Sequence, residues 1–110
     1  MRNIIVVAGL VAGLAAGNAQ AEWVDVSYSA TLTEDSVYCS EFESFIKLLD
    51  YTKDQDMRGA QKMVDEGVCG VTSGPMKIEV YQSGHVDQKQ VIRFISPSGK
   101  KFITLGAFTQ

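Results

Sequence analysis

The chain has 110 residues, with 10 Lys and Arg against 13 Asp and Glu, a net charge of −3 and a hydrophobic share of 45%. That length and balance describe one globular domain, neither disordered nor collagen-like. The acidic excess argues against a nucleic-acid partner, which calls for a basic footprint. One histidine and two cysteines cannot by themselves furnish a four-cysteine or two-cysteine, two-histidine zinc site, and no metal or other cofactor is expected.

The chain opens on a secretory signal pattern. Met1-Arg2-Asn3 gives a positively charged start, Ile4 to Ala16 is apolar and uncharged, and Ala19-Gln20-Ala21 is a small-x-small cleavage site. The 13 residues of the apolar stretch reach only about 20 Å as a helix, short of a hydrocarbon core of about 30 Å. We therefore expect residues 1–21 to be removed and residues 22–110 to form one small α+β domain. No second hydrophobic span follows, so no integral membrane span is expected after signal removal, and the domain belongs in the periplasm or outside the cell.

From Trp23 to Ala30 apolar and polar residues alternate, the period of a half-buried strand. Thr31 to Ser36 reads as a polar connector. Ser40-Glu41-Phe42-Glu43 fits a capping box, Ser40 and Glu43 each bonding the other's amide, and Phe42, Phe45, Ile46, Leu48 and Leu49 follow at helical spacing to about Tyr51. Asp54 or Asp56 can cap a second helix carrying Met57, Ala60 and Val64. Gly59 weakens that helix, and Gly67 is placed to stop it.

Cys39 and Cys69 are the only cysteines, and in an exported chain they read as one disulfide bracketing this helical hairpin. No Cys-x-x-Cys spacing supports a redox pair. Closing a loop of about 30 residues is worth roughly 3.7 kcal/mol by chain entropy, a large share of the about 5–15 kcal/mol of a small domain.

Gly70 to Pro75 is rich in breakers. Met76 to Tyr81 alternates as a strand, Ser83-Gly84-His85 begins a polar turn, and Gln90 to Ile95 is the next strand. Ser96-Pro97-Ser98-Gly99 is a turn, and Lys101 to Phe108 is a last strand in which Gly106 marks a bulge or close approach. Short turns make these three an antiparallel meander, to whose edge the first strand can add.

The order Cys39, two short helices, Gly67-Val68-Cys69, Ser73-Gly74-Pro75 and three strands resembles a recurring type of small exported bacterial protein. There a disulfide-bracketed helical pair precedes a small SH3-like β-meander. The resemblance implies a helical hairpin packed on an antiparallel, SH3-like sheet of three or four strands. Bacterial SH3-like domains often bind cell-wall peptides or proteins, so it also implies binding rather than catalysis.

Several residues carry candidate chemistry. His85 is the single histidine, and a turn histidine is usually solvated. No Gly-x-Ser-x-Gly elbow is present, and nothing in the spacing selects a serine to join His85 and Asp87 in a triad. Asp54-Gln55-Asp56 with Gly59 resembles the start of an EF-hand loop, but Arg58 and Asp65 stand where the fifth and twelfth ligands belong. The acidic pairs elsewhere read as helix starts and solvated faces. Ser98-Gly99-Lys100-Lys101-Phe102 resembles the inserting loop of periplasmic inhibitors of C-type lysozyme, where Lys100 or Lys101 would pair with the enzyme's carboxylates and Ser98 would hydrogen-bond to them. The chain ends eight residues after Phe102, leaving no room for the further strand of that family. Trp23 and Phe108, at the two ends of the domain, are candidate interface anchors.

Together these features predict a non-enzymatic, exported interaction protein of the cell envelope, whose partner is an envelope protein or peptidoglycan. The predicted binding surface is the meander with its Ser83–Gln88 and Pro97–Lys101 loops. The candidate residues are Ser98, Gly99, Lys100, Lys101 and His85, and no catalytic residue is expected.

Overall fold

A computed structural model describes residues 22–110, and the expected signal peptide lies outside the described residues. Alternation from Trp23 onward produces β1 (Val24–Leu32), followed by a three-residue strand β2 (Val37–Cys39). Two helices come next, α1 (Phe42–Lys53) and α2 (Met57–Asp65), then a second three-residue strand, β3 (Cys69–Val71). The meander follows as β4 (Met76–Val86), β5 (Lys89–Ile95) and β6 (Lys101–Leu105), and a 3-10 turn covers Gly106–Phe108.

The strands form one antiparallel sheet of six in the order β1-β4-β5-β6-β2-β3. The expectation of three or four strands is thus corrected. The two extra strands are short and flank the helices. Three residues show too little alternation to register in sequence, and β3 runs into the breaker-rich Gly70–Pro75 stretch. As expected, β1 joins an edge of the meander, pairing with β4. The sheet also curls back on itself. Leu32 bridges Thr109, Thr33 N–H donates to Phe108 O (2.9 Å), and Gln110 N–H donates to Thr31 O (2.9 Å).

Cys39 and Cys69 face each other in register on β2 and β3 and form the expected disulfide. Among the described residues, no helix is long and apolar enough to cross a membrane.

The capping box does not form. Glu41 rather than Ser40 takes the N-cap position of α1, with no side-chain cap bond. Backbone pairing draws Ser40 away, because both its N–H and its hydroxyl donate to Val68 O (3.2 and 3.4 Å). The second helix is capped as expected. Asp56 Oδ1 accepts from Gly59 N–H (3.0 Å), and Gly67 follows the helix at φ +79°, a left-handed conformation that glycine adopts without strain.

The sheet is buried on both faces. Phe45 and Leu48 of α1 and Ala60 and Met63 of α2 pack with Cys39, Cys69, Val86, Val91 and Ile103. On the other face Leu32, Ile78, Val80, Ile92 and Phe94 form a second core inside the curl. Strand β5 supplies both cores alternately, Val91 to the helices and Ile92 and Phe94 to the interior, as the period of two requires.

Candidate binding groove

The helix-bearing face of β5 is not wholly covered. Arg93 lies on the same side as Val91, and β6 sets Ile103, a residue of the helical core, directly opposite it. Lys101 precedes Ile103 by two residues and so shares this face. On β4 the register shifts between Val80 and Gln82: Val80 opposes Phe94 inside the curl, and Gln82 opposes Arg93 on the helix face. Tyr81 is the extra residue of this bulge, and the bulge re-aims its neighbours in the way such irregularities do.

The start of α1 closes the far side. The result is an open groove of about 380 Å³ lined by Ser40, Glu41, Phe42, Tyr81, Arg93, Lys101, Phe102 and Ile103. Two cations are held there by aromatic rings. The Arg93 guanidinium carbon stands 4.1 Å from the Trp23 ring centroid, and Lys101 Nζ stands 5.4 Å from that of Tyr81, both within cation–π range. Trp23 in turn meets Phe42 edge-on, with centroids 5.6 Å apart. Arg93 Nη1 donates to Gln82 Oε1 (2.9 Å), and Gln82 Nε2 donates to Asp25 Oδ1 (3.0 Å). Among the described residues, Arg93 is therefore braced through a neutral amide rather than neutralised by direct contact with a carboxylate, and a planar fork fixed in this way suits recognition of an anion.

The predicted site residues divide between two places. Ser98, Gly99 and Lys100 form the exposed β5–β6 turn, which largely satisfies itself. Ser96 and Ser98 share a hydroxyl–hydroxyl bond (2.9 Å), Lys100 N–H donates to Ser96 Oγ (3.2 Å), and Gly99 N–H donates to Ser96 O (2.8 Å). Lys101, the next residue, enters the groove. His85 stands exposed on β4, paired with Gln90 at the other end of β5. The two places lie about 16 Å apart along the strand at 3.3 Å per residue, towards opposite ends of β5. The expected turn at Ser83-Gly84-His85 is also displaced, because β4 continues to Val86 and the reversal falls on Asp87 and Gln88, both at positive φ.

Other expectations resolve locally. Asp56 caps α2, and Gly59 lies within the helix rather than at a loop turn, so no EF-hand loop forms. Among the described residues, no three His, Cys, Asp or Glu side chains gather to hold a metal ion. Phe108 packs against the core inside the curl, and the Trp23 ring lies against Arg93, which lines the groove. Gly106 is a close approach, since a Cβ there would collide with the Gln90 side chain. A hollow of about 450 Å³ between Gln88–Gln90 and Leu105–Ala107 is larger than the groove but has a single cation, Lys89, and no ring.

Arg93 and Phe42 were not singled out from the sequence as site residues. The available signal was Arg93 itself, a charge in the middle of the apolar run Val91–Ile95. In comparisons with protein families, characterised proteins and solved structures, nothing matches this chain.

Proposed function

We propose that the chain is an exported, non-enzymatic interaction protein of the cell envelope that holds its partner in the groove between α1 and the β5–β6 face. The observation that carries this reading is the pair of ring-braced cations, Arg93 on Trp23 and Lys101 over Tyr81, in an open cleft. Rings that give contact area beside a fixed guanidinium make the composition of an interaction hot spot. The signal pattern of residues 1–21 and the Cys39–Cys69 disulfide support an oxidising compartment, the periplasm or the exterior.

A second reading, a peptidoglycan-binding SH3-like module, draws on the topology. Support for it comes from strand β1 followed by the meander β4-β5-β6, a 3-10 turn and a return to pair with β1, with β2, the helices and β3 between the first strand and the meander. Such a fold hosts many functions, so the site carries the argument.

The test immobilises the oxidised protein and a double variant, Arg93→Glu with Lys101→Glu, and exposes both to envelope extract and to purified sacculi. A species retained by the parent and lost from the variant supports the reading. Retention on sacculi alone selects the wall-binding version. Equal retention by both proteins, or none by either, overturns the groove as the binding surface.

A further inference from the structure

We propose that the groove is a receptor for the chain-terminal carboxylate of a peptide whose remaining residues are neutral or basic. This rests on the reading of the groove as the binding surface and names the chemistry it takes. Three observations lead there. First, Arg93 and Lys101 are diagonal neighbours on one face of β5 and β6, so one carboxylate can lie between a planar fork and a point charge. Arg93 uses Nη1 on Gln82, and the fork carries further donors that match the two oxygens of a carboxylate. Second, Phe42 and Tyr81 both line the same groove and offer apolar contact to a side chain beside the charge, as a terminal residue would present. The cleft, at about 380 Å³, has the size of small-ligand sites.

Third, the electrostatics select against a polyanion. The chain carries a net charge of −3, and Glu41 itself lines the groove. Two cations in an acidic surface attract one negative group, while an extended run of negative charge meets repulsion from the rest of the molecule. A single carboxylate on a neutral or basic body satisfies both constraints.

Trp23 is the only tryptophan, and its ring lies against Arg93, so its fluorescence reports on the site. The probes are N-acetyl-Ala-Lys-Ala-Leu as the free acid, the same peptide as the C-terminal amide, and N-acetyl-Glu-Glu-Ala-Leu as the free acid. The first should give a saturable change in Trp23 emission that weakens with added salt. The amide should bind at least about tenfold more weakly, the ordinary value of a charge-assisted hydrogen bond, and the acidic peptide should also bind more weakly than the first. Lys101→Gln, an exposed change that spares the fold, should weaken the free acid by about the same factor, and Lys100→Gln, in the neighbouring turn, should not.

Equal binding of acid and amide, or no saturable change up to about 10 mM, weaker than any useful affinity, overturns the carboxylate assignment. If the double variant still loses its envelope partner in that case, the interaction reading stands and only its chemistry falls. If the variant keeps the partner, both fall.

Discussion

A single atom decides what Gly59 is for. Glycine inside a helix is less favourable than alanine by about 1 kcal/mol, and in sequence Gly59 counts only as a defect in α2. In the fold, a Cβ at Gly59 would lie 2.6 Å from both Cδ1 and Cε1 of Tyr51 on α1. The glycine lets the tyrosine ring lie flat against the helix, and the two helices meet there. Gly59→Ala should therefore destabilise the protein by about 1–2 kcal/mol, the range of a local overpacking. In a Tyr51→Ala background the clash is gone, and the same change should stabilise by up to about 1 kcal/mol through helix propensity. Urea midpoints at constant m-value read both signs. A Gly59→Ala protein more stable than its parent in the presence of Tyr51 would show that the ring moves aside at no cost.

At the scale of elements, the disulfide sets the terms for the helices. The insertion from β2 to β3 holds α1 and α2, and its two ends are three-residue strands that pair with each other through Cys39 and Cys69. Short ladders of this kind contribute little alone, so the cross-link holds the ends together in the unfolded chain and lowers its entropy. Reduction should cost about 3–4 kcal/mol by the loop-entropy relation, or roughly 12–32 °C in Tm at the 4–8 °C per kcal/mol of small domains. Thermal melts with and without dithiothreitol measure it, and a shift under about 5 °C would mean that the helical core holds the insertion without the bond. Both helices, their order and the bracket were legible in sequence because each rests on local signals: apolar spacing, an aspartate cap, a glycine stop. The strands β2 and β3 were not, since their evidence is their partners. The Ser40 capping box failed for the same reason, the backbone of Ser40 being claimed by Val68, 28 residues away.

For the whole molecule, what sequence could not supply is what lies across the sheet from what. The candidate groove joins Phe42, Tyr81, Arg93 and Lys101 from four segments, and only the bulge at Tyr81 and the pairing of Arg93 with Ile103 put them on one face. Closure of the sheet is non-local in the same way. Lys101 to Phe108 reads as one strand, yet the strand ends at Leu105, and the 3-10 turn carries Phe108 into the core inside the curl. The last residues then pair with Thr31, Leu32 and Thr33, which shields the end of β1 and completes the wall around Leu32, Ile78 and Phe94. If closure stabilises beyond the burial of one ring, two variants separate the contributions. Phe108→Ala should cost about 2–3 kcal/mol, somewhat below a fully buried phenylalanine because the ring is half-buried. Truncation after Leu105 also removes the bonds from Thr33 N–H and Thr33 Oγ1 to Phe108 O and from Gln110 N–H to Thr31 O, and at about 1 kcal/mol each it should cost about 2–3 kcal/mol more. It should also open the inner core to a dye such as ANS, which binds exposed apolar surface. Truncation no more costly than Phe108→Ala, with no gain in dye binding, would mean that the ring alone plugs the curl and that the strand-like return contributes nothing to it.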